Sequence, residues 1–357
     1  MKMGIIGLPS AGKTTIFNAL TGSNLPTGTG AGAGQLEVHT AVVDVPDARL
    51  GQLSDLFKPR KTVFAKVTYA DIGGLKADAG REGLPGPLVN QLGQMDGLLH
   101  VVRAFDNPSV PHISGSVDPA RDLAAMEAEF VLNDMLAVDR RLAKLTEERQ
   151  KGGRDRGLID REIGLFQRLS EGLSHERPLR GMKCTLEEEQ LLTGFALLSR
   201  KPMLVVVNTA EGEEPPSVEA TGTGMLAIAL QGRLEMEIAQ LSPDEARSFL
   251  NEYGLGEPVR DRVIRVSYDL LGLESFFTVG EDEVRAWTLP RGETALDAAD
   301  AVHTDLARGF IRAEVIAWDE LLDLGGLAEA RAAGKLRVEG REYVVADGEI
   351  VHIRFNV

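Results

Sequence analysis

The chain has 357 residues, 43% of them apolar and 26% charged, ordinary globular usage that excludes both a mini-protein needing staples and wholesale disorder. At roughly 150 residues per domain, two or three domains are expected. Acidic residues outnumber basic ones by 54 to 39, for a formal charge of -15, so the overall field repels nucleic-acid phosphates and contact with RNA requires a local basic patch.

The single cysteine, Cys184, can form neither an internal disulfide nor, alone, a zinc site, which fits a reducing cytoplasm. The N-terminus, Met1-Lys2-Met3-Gly4-Ile5-Ile6-Gly7-Leu8-Pro9, has too short an apolar stretch for a signal peptide. No run approaches the roughly 18 apolar residues of a membrane span. A soluble cytoplasmic monomer with no membrane association is expected.

Short apolar runs at 3–6, 65–70, 98–105, 203–207 and 226–230, bounded by Gly, Pro or Asp, have the character of strands buried on both faces of a parallel sheet. Helical patterns separate them, so the fold class is α/β. The first run leads into Gly7-Leu8-Pro9-Ser10-Ala11-Gly12-Lys13-Thr14, which fits G-x-x-x-x-G-K-[S/T] ahead of an apparent helix over 15–20. Phosphates require this spacing because the glycines let the backbone turn its N–H groups inward at a helix N-terminus. Ser10, Ala11, Gly12, Lys13, Thr14 and Thr15 are the expected nucleotide contacts, with Lys13 at the β and γ phosphates and the Thr14 hydroxyl on Mg²⁺. After the second run comes Asp71-Ile72-Gly73-Gly74-Leu75. Asp71 is expected to hold Mg²⁺ through water, and the Gly74 N–H to sense the γ phosphate as part of the catalytic set with Lys13. A P-loop followed by D-x-x-G is the layout of a GTPase-like domain.

Between the third and fourth runs, Leu123, Met126, Phe130, Met135, Val138, Leu142 and Leu145 step mostly by three or four. Ile159, Ile163, Phe166, Leu169 and Leu173 do the same beyond a glycine-containing break, as in an antiparallel coiled-coil hairpin. The alternative is that these stripes pack on the main core. Thr185 and Glu188 then form a capping box before another helix. At the hairpin turn the overall charge reverses: residues 140–161 carry eight basic and four acidic side chains, net +4. Arg149, Lys151, Arg154 and Arg156 are the candidate contacts to RNA or a partner there; the bland alternative is a solvated charged face.

The fourth run ends in Asn208-Thr209-Ala210-Glu211, where a GTPase carries N-K-x-D to read guanine. Losing the lysine and lengthening the acid weakens the argument for guanine without establishing adenine. From Ser275 the grammar changes to strand-like pieces at 276–279, 284–289, 336–338, 343–345 and 350–355, with a helical stretch over 294–310, as in a small α+β domain. This region is acidic, with 9 basic and 16 acidic residues over 276–357.

Together these motifs resemble the YchF family of Obg-like ATPases, a translation-factor-class P-loop branch, over nearly the whole length. The match includes Gly115-Ser116-Val117-Asp118-Pro119 and, most specifically, Phe276-Phe277-Thr278-Val279-Gly280, Glu283-Val284-Arg285-Ala286-Trp287-Thr288, His303-Thr304-Asp305, the stretch Gly309-Phe310-Ile311-Arg312-Ala313-Glu314-Val315-Ile316, and Arg354-Phe355-Asn356-Val357. The resemblance implies a P-loop NTPase domain at 1–117 and 199–274, a helical coiled-coil insert at 118–198 and a ubiquitin-like β-grasp (TGS) domain at 275–357. It implies ATP in preference to GTP, with Asn208 and the backbone of Thr209 at the adenine and Glu211 completing the motif, and association with the ribosome or a ribosome-associated factor.

It also implies hydrolysis without the usual water-orienting glutamine, because Leu75 stands in that place and cannot hydrogen-bond water. His112 matches a loop histidine proposed for that role in the family, and a neutral imidazole can orient or deprotonate water. Two departures stand out. By spacing, Gln35 replaces the switch threonine, so either Thr27, Thr29 or Thr40 substitutes or the switch works poorly. The surrounding glycine-rich segment is expected to be mobile without nucleotide. Ser10 replaces the P-loop asparagine that helps hold K⁺ in related hydrolases, which argues against stimulation by K⁺. The expectation is a Mg²⁺-dependent ATPase switch; the alternatives are a GTP-binding switch of the Obg class or a nucleotide-binding scaffold with little turnover.

Overall fold

The structure, a computed structural model, describes residues 1–27, 37–73, 84–214, 216, 218, 224–252 and 257–356. It comprises two compact units, 1–41 with 68–263 and 42–67 with 264–357. Residues 42–67, read above as part of the NTPase segment, thus fold with the C-terminal residues. None of the described helices is long and apolar enough to cross a membrane.

The first unit is built on a six-stranded sheet of order β2-β4-β1-β5-β6-β7, comprising β1 Lys2–Ile6, β2 Val38–Asp44, β4 Lys66–Ile72, β5 Gly97–Ala104, β6 Met203–Thr209 and β7 Met225–Leu230. β1 pairs in parallel with β4 and β5, and β5, β6 and β7 continue in parallel. The five apolar runs are therefore the five inner and far strands; in β1, β5 and β6 the continuous hydrophobicity reflects burial on both faces, whereas the edge strand β7 leaves Leu226 and Ala227 exposed. β2 had no such signature because its burial alternates along an edge. One sheet face carries Ile6, Ala70, Leu98, Val102 and Val205 against Leu88 and Leu92 of α3 (Gly86–Gly93) and Leu123, Met126 and Phe130 of α4 (Pro119–Lys151).

The insert combines both readings of its stripes. The first turns of α4 belong to the main core, whereas Val131, Val138 and Leu145 pack with Ile159, Phe166 and Leu169 of α5 (Arg156–Ser174) in a separate hairpin core. Gly152 and Gly153, with φ of 73° and 101°, turn the chain between the helices, a conformation that disfavours side chains. Asp134 sits where α4 passes from one core to the other. Its fully buried carboxylate accepts hydrogen bonds from the N–H groups of Leu198 (2.8 Å) and Ser199 (2.7 Å), fastening α4 to the chain that re-enters at β6. Burial nonetheless pushes this carboxyl above its usual range. The expected capping box forms at α6 (Leu186–Leu192), where Thr185 and Glu188 cap each other's backbone N–H.

The second unit contains β3 Lys61–Val63, β8 Leu273–Thr278, β9 Glu283–Pro290, β10 Phe310–Ala317, β11 Arg337–Glu339 and β12 Glu349–Phe355, in the order β11-β10-β12-β8-β9-β3. Five of these strands, with β8 and β12 parallel and α10 (Ala295–Val302) packed into their core, form the expected β-grasp. β3 extends it by pairing with β9. Arg49, at the start of α2 (Ala48–Phe57), anchors this excursion. Its guanidinium meets Asp347 at 2.6 Å and lies 5.3 Å from the Phe277 ring centroid, while Asp347 also accepts the Ser275 N–H. The helix expected over 294–310 breaks at His303, whose extended backbone starts α11 (Thr304–Arg308); β10 follows instead of further helix.

One core residue makes stability depend on pH. His100 on β5 is fully buried, and neither ring nitrogen has a hydrogen-bond partner among the described residues. Burial, aided by the charges of Lys13 and Arg180, lowers its pKa from 6.5 to about 3. Below pH 6.5 the unfolded chain binds a proton that the folded chain refuses, so stability falls as the pH falls, by up to about 1.4 kcal/mol per unit. Urea unfolding at pH 7 and pH 5.5 is expected to show a loss roughly 1 kcal/mol larger for the wild type than for His100→Phe; equal losses would remove His100 from the account.

Candidate functional site

The P-loop follows the carboxyl end of β1, at the centre of the parallel sheet, and enters α1 (Lys13–Thr21) through Gly12 in the left-handed conformation. Its glycines answer to close neighbours. A Cβ on Gly7 would lie 2.3 Å from the carbonyl oxygen of Val101, and one on Gly12 would lie 2.2 Å from Asn208 Nδ2. Ser10 adopts a positive φ of 61° without being glycine, a strained conformation of the kind found at ligand clamps. Lys13 Nζ folds back to donate to the carbonyls of Gly7 and Leu8, each at 3.0 Å. Burial lowers its pKa to about 8, against the raising effect of Asp71. Thr15 lies in the first turn of α1, partly buried.

Beside this lysine, the Thr14 hydroxyl donates to Asp71 Oδ2 at 2.8 Å, and Asp71 Oδ1 is buried with no hydrogen-bond partner among the described residues. A buried carboxylate oxygen left unpaired is costly, and a cation at this point would satisfy it. The donors are a hydroxyl and a carboxylate, which suit a hard divalent ion. No group of three or more His, Cys, Asp or Glu capable of holding a metal occurs among the described residues. An ion here must therefore complete its shell with water and ligand oxygens. Gly73 N–H donates to the Glu37 carbonyl at 3.0 Å. Gly74 and Leu75, together with Thr29, Gln35 and the glycine-rich segment expected to be mobile, lie outside the described residues; Thr27 and Thr40 are exposed.

Asn208 is buried at the end of β6, and its amide is spent on backbone. Nδ2 donates to the Ala11 carbonyl at 3.0 Å, and Oδ1 accepts the Gly232 N–H at 3.1 Å. It thus braces the P-loop against the start of α7 (Gly232–Ile238), with Thr209 buried next to it and Glu211 exposed. Sequence reasoning missed Gly232: a Cβ there would lie 2.7 Å from both Asn208 Oδ1 and Ile16 Cδ1, and its only signal was a glycine following the fifth run.

His112 lies in the loop joining β5 to α4. Its side chain is buried, with Nε2 2.8 Å from Asp122 Oδ2 and Nδ1 accepting the Ser114 N–H at 3.1 Å. The Nδ1 lone pair is taken by Ser114, so the neutral imidazole presents no free lone pair to water in this arrangement, while the Nε2 contact leaves Asp122 Oδ2 without a hydrogen-bond partner among the described residues. Asp122, buried in the first turn of α4, was also missed.

At the hairpin tip most of the expected basic contacts are neutralised locally. Arg149 meets Asp160 at 2.7 Å, Lys151 meets Glu147 at 3.1 Å, and Arg154 bridges Glu148 (3.2 Å) and Glu162 (2.9 Å). Arg141 joins the same buried Glu162. Arg156 has no carboxylate partner among the described residues.

The family model YchF-GTPase_C, described as a protein of unknown function, matches residues 273–356, and a model described as a 50S ribosome-binding GTPase matches residues 2–138. The "Ribosome-binding ATPase YchF" of Bacillus subtilis is 39% identical over 99% of both chains. The protein of that name from Escherichia coli O157:H7 is 35% identical over 100% of this chain and 99% of its own, and rat "Obg-like ATPase 1" is 34% identical over 100% and 92%. The solved structure of the Schizosaccharomyces pombe YchF GTPase superposes with a TM-score of 0.86 at 29% identity, covering 99% of this chain and 97% of that one. Full-length identity, the C-terminal family match and the shared fold agree: the chain belongs to the YchF family.

Proposed function

We propose that this protein is a cytoplasmic, Mg²⁺-dependent ATPase that changes state with its nucleotide and engages the ribosome or a ribosome-associated factor. The Thr14–Asp71 pair with its unpaired carboxylate oxygen carries the reading, because it leaves a cation position beside a phosphate cradle. Thr14 would ligate Mg²⁺ and Asp71 would hold it through water; the ion supplies charge neutralisation at the β and γ phosphates. Lys13 exchanges its two carbonyl partners for phosphate oxygens, and the N–H groups of residues 10–15 and Gly74 surround the transferred group. Asn208 keeps the P-loop in place beneath the nucleotide, with Thr209 and Glu211 beside the base. His112 orients the attacking water after leaving Asp122. The relatives' names, a ribosome-binding ATPase in two bacteria and an Obg-like ATPase in rat, support ATP as substrate and the ribosome as partner.

Calorimetric titration with Mg·ATP and Mg·GTP should give tighter binding of ATP, and a clear preference for GTP would sink the ATPase reading. Lys13→Ala is expected to lower phosphate release by about a hundredfold or more, whereas rates equal to wild type would leave only a nucleotide-binding scaffold. For the hairpin tip, co-sedimentation with ribosomes across a salt series should respond most to Arg156→Ala, reducing the salt slope by about one ion. Binding unchanged by this substitution and by simultaneous charge reversal of Arg149, Lys151, Arg154 and Arg156 would exclude the tip as a contact.

A further inference from the structure

We infer that Asp122 is a positioning residue for His112, holding the imidazole on the first turn of α4 and so keeping hydrolysis slow until the dock is released. The inference rests on the reading of His112 as the residue that orients water. The side chains of His112 and Asp122 are only 3% and 4% exposed and lie 2.8 Å apart. With Nδ1 accepting the Ser114 N–H, the neutral ring carries its proton on Nε2, the nitrogen facing Asp122. A neutral imidazole has one donor and one acceptor: the acceptor is used by the Ser114 N–H, and the donor lies against Asp122 Oδ2, a buried oxygen with no hydrogen-bond partner among the described residues. To act on water, His112 must give up one of these contacts.

Two guanidinium groups hold the surrounding loop in this docked form. Arg103, buried near the end of β5, donates to the carbonyls of Phe105 (3.0 Å) and Val110 (2.9 Å). Arg121 on α4 donates to Ser116 Oγ (3.0 Å) and the Ser116 carbonyl (2.7 Å), and to Asp122 Oδ1 at 3.1 and 2.8 Å. The same carboxylate therefore ties down both the imidazole and the arginine that closes the loop. At its other end, Arg103 stands in register with Asn208, the residue that braces the P-loop through the Ala11 carbonyl. The loop thus runs between the P-loop brace and the first turn of the insert, and movement of either one strains the dock. Arg103 Nη1 is buried without a hydrogen-bond partner among the described residues, so the loop already contains a donor that a second arrangement of its carbonyls could satisfy.

Asp122→Asn removes the charge while keeping the shape. If the dock restrains His112, basal kcat should rise about tenfold, the factor by which the undocked population grows when a lightly populated state is freed, with KM for ATP within about twofold of wild type. His112→Ala should lower kcat, and in the double variant Asp122→Asn should no longer accelerate. A His112→Ala variant with wild-type kcat would remove the reading on which the inference rests. A slow His112→Ala together with an Asp122→Asn variant that is folded but no faster would overturn the dock alone. Imidazole nitrogen NMR gives a second readout independent of turnover. The free wild type should show a single Nε2–H tautomer with slow proton exchange, and Asp122→Asn should show averaged, fast-exchanging signals; identical spectra would overturn the dock.

Discussion

A buried ammonium at the carboxyl end of a parallel sheet is the constraint on which the first unit depends. Lys13 is removed from water by the very loop that must bind phosphate, and its depressed pKa measures the cost. Without ligand, the cost is met by two P-loop carbonyls and the nearby charge of Asp71. Such an arrangement survives only if the loop backbone is held still. Gly7 can press against Val101 and Gly12 against Asn208 because neither has a side chain, and Asn208 closes the ring by bonding Ala11 on one side and Gly232 on the other. The P-loop is therefore shaped in advance, and an incoming phosphate replaces contacts instead of ordering a chain, which limits the entropy lost on binding.

The same economy governs the insert. A helix of 33 residues that served only a hairpin would need a seam along its whole length. α4 instead divides its apolar face between the sheet core and α5, with the carboxylate of Asp134 at the crossing. Because the first turns of α4 are part of the core beneath the sheet, the hairpin is not a free arm: whatever binds its tip acts on a helix that also carries Asp122. Pairing of the tip cations with Glu147, Glu148, Asp160 and Glu162 lowers their availability to phosphates, but it also orders the tip, since Arg141 and Arg154 meet on the buried Glu162.

What was legible in the sequence is what depends on nearby residues. The inner strands announce themselves as continuous apolar runs, the P-loop as a fixed spacing, and the cap of α6 as a pair three residues apart. Elements decided by distant partners were not legible. β10, which carries Arg312 and Glu314, was not read as a strand; Glu314 is neutralised there by Arg331 and Arg354 from other elements. The helix break at His303 follows from its side chain capping the next helix through the Asp305 N–H, a competition that periodicity does not register. In the site, the brace role of Asn208 and the pairing of His112 with Asp122 are long-range facts, whereas the residue types themselves were visible.

The placement of residues 42–67 extends this point from single residues to topology. The chain leaves the first unit after Ala41 and returns at Thr68. In sequence, this excursion lies between the glycine-rich segment assigned to the switch and the D-x-x-G segment at Asp71. Within the first unit, Gly73 N–H to the Glu37 carbonyl joins the exit to the return; within the second, Val45 N–H to the Ala65 carbonyl does the same. Arg49 then fixes the excursion to Asp347 and Phe277. The two stretches expected to respond to the γ phosphate consequently border two of the three covalent connections between the units.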